Sequence, residues 1–388
     1  MRTTKTVTHE MIMKQDVIIY GAGVCGEIVY RGLESIGKVP LFFCDSNEKK
    51  SALWDVPVIK PQELTKYKNA LVLLASFNYF YEMKKECEVL EIENYYDIEY
   101  ILNLPIPEER LSYQAQDVYA NKGRYLDIIN HSPEENRLCI GKIEVTVSEF
   151  CSLKCKDCSY LMPHYKKPTN IPIEDCIHYI DRLLEYVDRI SELRLLGGEP
   201  LMNLDLWKLI NNYLQEEKIG IIDVHTNGTI IPSEPVLQSF QYEKVIVHIS
   251  DYIVVNNKID KLIELFRENH IRFFVRKYDK WLQFGDMEDR HYSKDYLQEA
   301  FWHCTARNCL TLKGSRLYHC PRSAHATTIG LIPDFNEDYI DLGNERIADK
   351  VIMKEKIREY IMVPKPIKAC NFCVGGLVSQ EVNAAEQL

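Results

Sequence analysis

The stretch EVTVSEFCSLKCKDCSYLMPHY, residues 144–165, decides how the rest of the chain is read. IEVTV reads as a strand. The loop after it carries Cys151, Cys155 and Cys158, three cysteines within eight residues at C-x3-C-x2-C spacing. Thiolates are soft ligands that favour iron–sulfur clusters, zinc and copper(I). Three thiolates on a four-iron cubane leave one iron open to an outside ligand, so such a cluster can hold a substrate as well as carry electrons. The competing reading is a structural zinc site with His164 as fourth ligand, although zinc pairs are more often spaced C-x2-C.

Composition narrows the classes. The chain has 388 residues, 46% hydrophobic and 27% charged, the make-up of a soluble globular protein with two or three domains. A net charge of −10 argues against nucleic acid or an anionic membrane as main partner. No signal peptide or membrane-length apolar run is visible, so a cytoplasmic location is expected. In a reducing compartment thirteen cysteines are not a disulfide framework, and clustered ones read as metal ligands. Cys25, Cys44, Cys87, Cys139 and Cys176 lie alone and read as buried small hydrophobes.

Strand and helix signals alternate along most of the chain, an α/β pattern with parallel sheet. Residues 14–104 open with DVIIYGAG, a strand entering a glycine turn, then a helix at Glu27–Ile36, a strand in VPLFFCD and a strand in ALVLLAS. Residues 105–140 begin with the proline-marked boundary LPIPEER, and helical character over Leu111–Asn130 ends at HSPEEN, so this part is expected to be a linker helix. Residues 141–285 resume the alternation with strands in IEVTV, ELRLL, IIDVHT, KVIVHI and IRFFV. Helices are expected near Glu174–Ile190, Asp205–Gln215, Glu234–Phe240 and Asp260–Glu268, and no sixth strand can be placed. Residues 300–380 are irregular and cysteine-rich, where metal is expected to supply order.

The second strand of the 141–285 segment ends in LRLLGGEP, residues 193–200. Gly197 and Gly198 let a ligand approach the backbone, and Glu199 places a carboxylate at the strand end. C-x3-C-x2-C after one strand and GGEP after the next resembles the radical S-adenosylmethionine (radical SAM) superfamily. The resemblance implies a partial (β/α) barrel with a 4Fe–4S cluster at the C-terminal mouth of its strands. S-adenosylmethionine would be chelated at the open iron and cleaved by one electron to a 5′-deoxyadenosyl radical. It further implies cofactor contacts from Gly197, Gly198, Glu199, Thr226, Asn227, Ser250 and Arg276, and an external one-electron donor such as flavodoxin or ferredoxin. The family usually has an aromatic residue before the third cysteine. Here it is Asp157, and Tyr160 is expected to take the packing role.

FWHCTARNCLTLKGSRLYHCPRS and KACNFCVGG hold the second set. TLKGSRLYHC reads as a hairpin turning at Lys313–Gly314, with Cys320 at its end and Cys370 and Cys373 as a C-x2-C pair. With Cys304 or Cys309 these make four thiolates, enough to close a second 4Fe–4S cluster; zinc with His303 or His319 is the alternative. The set resembles the SPASM and twitch auxiliary domains that follow radical SAM barrels, the shorter twitch form fitting the cysteine count. Cys304 gives the better hairpin spacing. Cys309 is then an inert thiol or, as in some radical epimerases, a hydrogen-atom donor to a substrate radical.

IIYGAGVCG carries G-x-G-x-x-G at Gly21, Gly23 and Gly26 between a strand and a helix, and Asp45 ends the next strand. That is a Rossmann-like, dinucleotide-binding arrangement, and this short segment resembles small domains of sugar-modifying enzymes that meet nucleotide-sugars. The alternative is a docking domain without a ligand. The expected function is therefore oxidation or epimerisation of a small molecule, a sugar or nucleotide-sugar, by a radical SAM oxidoreductase or epimerase. A peptide-modifying radical SAM maturase is the alternative, and a non-catalytic zinc- and nucleotide-binding protein a third reading.

Overall fold

The computed structural model describes residues 5–46, 52–77, 79–131, 137–254, 256–307, 309–343 and 350–388, the side chains of 113 and 117 aside. The chain divides into two units, Met1–Glu135 and Asn136–Leu388. Among the described residues no helix is long and apolar enough to cross a membrane.

The first unit is built on a sheet of β1 (Val17–Tyr20), β2 (Phe42–Cys44), β3 (Ala52–Leu53), β4 (Val56–Ile59), β5 (Leu71–Leu74) and β6 (Tyr95–Tyr96), in the order β3-β4-β2-β1-β5-β6. Every pairing is parallel except β3 with β4. β1 and β5 are buried at every position, as continuous apolar runs require when a parallel sheet is covered on both faces. Residues 105–140 do not form one linker helix. They hold two helices, Tyr113–Ala120 and Lys122–Asn130, and Leu111, Ala115 and Ile129 complete the first unit's core, because this stretch carries enough apolar residues to dock. The HSPEEN break lies, after His131, outside the described residues.

The second unit carries β7 (Cys139–Ser148), β8 (Arg189–Gly197), β9 (Ile219–Thr226), β10 (Val245–Asp251) and β11 (Phe273–Lys277), parallel neighbours in that order. Ile143, Val145, Val147, Leu193, Leu195, Ile222, Val224, Val247 and Ile249 face one core with the covering helices. The helix Ile173–Leu184 shows the expected stripe, with Ile173, Cys176, Ile180, Leu183 and Leu184 buried. It stops short of the expected Ile190 because β8 begins at Arg189.

Beyond β11 the chain forms β12 (Lys280–Leu282), then the hairpin of β13 (Thr311–Lys313) and β14 (Arg316–Tyr318), then β15 (Tyr339–Asp341) and β16 (Glu381–Asn383). β13 is the sixth parallel strand that the sequence left unplaced: it lies beside β7, and the sheet runs β11-β10-β9-β8-β7-β13-β14-β15. The sequence reads this segment as one arm of the hairpin TLKGSRLYHC, and β13 and β14 form that hairpin; what it does not show is the parallel pairing with β7, a contact between segments far apart in the chain. The cysteine-rich segment thus contributes three strands to the second unit's main sheet. β12 and β16 pair separately.

Candidate active site

Two consecutive glycines allow the cysteine loop and the glycine-rich turn to touch. The Gly198 amide donates to the Ser148 carbonyl at 2.9 Å, and the Glu199 amide to the Phe150 carbonyl at 2.7 Å. A Cβ on Gly197, which has φ +149°, would lie 2.1 Å from the Ser148 oxygen. One on Gly198 would lie 2.1 Å from the Phe150 oxygen and 2.9 Å from Cys151 Cβ. Both contacts are with backbone that cannot yield, so no side chain fits at either position.

Glu199 is fully buried. Its carboxylate accepts the Leu201 amide at 3.1 Å and the Asn227 amide at 2.8 Å, and burial pushes its pKa up to about 7 against those bonds and one from Thr226. The carboxylate thereby ties the end of β8 to the end of β9. Asn227 faces the cysteine loop: its amide donates to Ser152 Oγ at 3.0 Å and towards Cys151 Sγ at 3.7 Å. Its oxygen accepts from the Thr229 amide and hydroxyl. Thr226 Oγ1 accepts the Gly228 amide. Ser250, 7% exposed, and Arg276 are register partners on β10 and β11 at the same mouth, and the Arg276 guanidinium stacks on Tyr278.

The cysteine loop has a second support. Residues 386–388 run antiparallel along residues 154–156: the Lys156 amide donates to the Glu386 carbonyl and the Leu388 amide to the Lys154 carbonyl. Gln387 accepts the Lys154 amide at 2.8 Å and donates to Cys155 Sγ at 3.4 Å. Asp157 accepts from Gln283. The Tyr160 hydroxyl donates to Glu144 at 3.0 Å, and its ring packs edge-on against His325.

That inner face is a buried polar network. Arg194 lies 2.6 Å from Glu192, 3.5 Å from Glu144 and 3.6 Å from Asp223. His225 bonds Asp223 at 2.7 Å and lies against the ring of His248. Among the described residues Asp223, His225 and His248 are the one group of three potential ligands gathered within 4.8 Å, but Arg194 beside Asp223 already places a cation there.

Cys304, Cys320, Cys370 and Cys373 line one cavity of about 250 Å³. Gly375 packs against Cys373 and Cys304, and its amide donates to Cys373 Sγ at 3.1 Å. Cys309 also lines this cavity, but the charges around its thiol are Lys142, Glu144, Arg194 and Glu192, those of the barrel's inner face. The structure thus sets Cys304 among the other three thiols and Cys309 towards the barrel. Burial pushes the Cys151 and Cys370 thiols up to about 12 and the Cys155 and Cys304 thiols to about 11, so metal binding would release their protons. Of the isolated cysteines, Cys44, Cys87, Cys139 and Cys176 are buried and Cys25 half-buried.

In the first unit Gly21 has φ +114°, and a Cβ on Gly26 would lie 2.0 Å from the Gly21 oxygen; Gly23 caps the helix Val24–Ser35. The Asp45 carboxylate, expected to face a ribose, accepts the Ala22 amide at 2.8 Å and so braces the glycine turn.

Sequence reasoning missed Gln387, Arg322 and the Lys313–Glu149 ion pair, which closes at 2.6 Å in the interior. None has a local signal. The network around Asp223 had one: IIDVHT places polar residues at alternate positions of a strand that is otherwise apolar.

Residues 145–250 match the family model described as the Radical SAM superfamily. Over 94 residues the chain is 29% identical to the GTP 3′,8-cyclase of Clostridium acetobutylicum, a match covering 24% of this chain and 29% of that enzyme. The chain therefore spans under a third of the length of the curated relative it matches. Among solved structures, anSMEcpe with bound AdoMet is 15% identical, covering 61% of this chain and 88% of that one at a TM-score of 0.38. BtrN in complex with AdoMet and 2-DOIA is 13% identical, covering 61% and 93% at 0.39. Streptococcus suis SuiB bound to S-adenosylmethionine is 15% identical, covering 76% and 83% at 0.33.

Proposed function

We infer that this chain, whose residues 145–250 carry a radical SAM superfamily domain, is an S-adenosylmethionine-dependent oxidoreductase or epimerase acting on a sugar or nucleotide-sugar. The observation that carries the reading is the presence of two thiol sets in one unit: three on the loop after β7, and Cys304, Cys320, Cys370 and Cys373, which line a single cavity together with Cys309. When bound, a 4Fe–4S cluster and S-adenosylmethionine supply a 5′-deoxyadenosyl radical able to abstract a hydrogen atom.

The residues divide the work. Cys151, Cys155 and Cys158 hold the first cluster, with Asn227 and Gln387 fixing the loop and donating towards two of its sulfurs. Gly197 and Gly198 leave the backbone open to the methionine end of the cofactor, and Glu199 holds that turn in place from behind. Ser250 and Arg276 are suited to its carboxylate and ribose. Cys304, Cys320, Cys370 and Cys373 hold an auxiliary cluster able to accept the second electron of an alcohol oxidation. Arg194, Asp223, His225 and His248 offer a hydroxyl-rich substrate both donors and acceptors in a site shielded from water. Cys309 faces the same side and would return a hydrogen atom in an epimerisation. We favour oxidation, since an auxiliary cluster on Cys304, Cys320, Cys370 and Cys373 would serve as the electron acceptor that oxidation needs and epimerisation does not. In the first unit Gly21, Gly23 and Gly26 would receive the phosphates of a nucleotide or nucleotide-sugar at the start of the helix Val24–Ser35, with Asp45 positioning the turn.

The test is anaerobic reconstitution followed by iron, sulfide and 5′-deoxyadenosine analysis. About eight irons per chain and reductive release of 5′-deoxyadenosine are expected. Cys155→Ala should abolish that release, while Cys373→Ala should leave uncoupled release without substrate turnover. Zinc without sulfide would overturn the reading in favour of a non-catalytic protein. Turnover of a short peptide in place of a sugar would assign the chain to the maturases.

A further inference from the structure

Arg322 is an arginine in an awkward place. It is the second residue of the helix Pro321–Thr328, whose first turn follows directly on Cys320, and it is only 6% exposed. Its guanidinium donates to the Gly285 carbonyl, and Nε has no hydrogen-bond partner among the described residues. No carboxylate among the described residues lies within ion-pair distance. Asp286, the acid near enough to feel its charge, is exposed and pairs with Arg290.

A buried charge without a counter-charge costs several kcal/mol. Such a group persists where something anionic is meant to sit beside it. Two cavities meet at Arg322. One, of about 250 Å³, is lined by Cys304, Cys320, Cys370 and Cys373. The other, of about 300 Å³, is lined by Cys158 with Lys156, Asp157, His164 and Gln283. Arg322 lines both. Burial and the neighbouring Arg290 work against its charge, and the side chains that favour it are Cys373 and Cys320 on one side and Cys158 on the other.

We propose that Arg322 is the shared counter-ion of the two metal sites, a positioning residue whose fixed positive charge faces the Cys158 side of one cluster and the Cys320–Cys373 side of the other. This rests on the two-cluster reading above. Four thiolates around a 4Fe–4S core leave a net negative charge, and so does the three-thiolate site once reduced. A nearby cation favours the reduced, more negative state of each cluster and so raises both reduction potentials; net charge and hydrogen bonding are among the levers that set such potentials. One residue would thereby raise both potentials at once.

The experiment compares the reconstituted wild-type chain with Arg322→Met and Arg322→Lys by iron and sulfide content and by potentiometric titration followed by electron paramagnetic resonance. Both potentials should move to more negative values in Arg322→Met, with Arg322→Lys returning them towards wild type. Iron lost from Arg322→Met and restored in Arg322→Lys would support the same assignment. Unchanged potentials in a fully loaded Arg322→Met, or a shift confined to one cluster, would overturn it. Iron lost in both variants would overturn it too, marking Arg322 as a packing residue. Wild-type chain that takes up only one cluster would instead overturn the two-cluster reading, and this proposal with it, before any variant is compared.

Discussion

Glu199 is a carboxylic acid sealed from water, with its pKa raised from 4.5 to about 7 by burial. A raised folded-state pKa means that the folded chain binds the proton more tightly than the unfolded chain. The associated stability is therefore fully present below about pH 4.5 and is lost as pH rises through about 7. The span corresponds to about 3 kcal/mol. Metal-free wild type should accordingly show a thermal midpoint that falls between pH 5 and pH 8, and Glu199→Gln should flatten that slope; equal slopes would show that Glu199 does not titrate there. Gln387 makes a different prediction. Gln387→Glu keeps the acceptor for the Lys154 amide and removes the N–H directed at Cys155, so the first cluster's potential should fall while the auxiliary cluster's stays put. At this scale the sequence was legible where ligands cluster in it, as at Cys151, Cys155 and Cys158. It was silent on Arg322 and Gln387, whose partners lie far along the chain, and on the backbone amides that the Glu199 and Asp45 carboxylates accept.

Strands β7 to β11 could be read because their core-facing residues alternate or run continuously, and that pattern is local. The β13–β14 hairpin could be read as well, but not its place beside β7, which joins segments far apart in the chain. Its place is secured by Lys313, whose ammonium meets Glu149 in the interior with side chains 5% and 10% exposed. Lys313→Ala strands a buried carboxylate and should cost about 3–5 kcal/mol, read as a lower urea midpoint. A Lys313→Met/Glu149→Leu pair should recover most of that loss, since no buried charge is left. The contact between the cysteine loop and the glycine turn is equally unforgiving. Gly198→Ala drives a Cβ against the Phe150 carbonyl and should forfeit about four of the irons, by colorimetric iron assay, while leaving the auxiliary set loaded.

Each of the two units has a core of its own, and both cysteine sets belong to the second. Residues 136–388 produced without the first unit should therefore take up the same complement of iron as the whole chain; a colourless fragment would show that the first unit is needed for metal binding. The alternation of strands and helices made the α/β class of both units legible. The extent of the first unit was less so, because the helices of 113–130 resemble a spacer in sequence and are recruited by apolar side chains that only the folded unit brings together.

Residues 154–156 and 386–388 meet across more than two hundred intervening positions. During synthesis the loop leaves the ribosome long before the strand that braces it, and a carrier delivering iron to the nascent chain would find only half of the cradle. A cluster on Cys151, Cys155 and Cys158 would therefore be held poorly by ribosome-stalled chains that stop before residue 386.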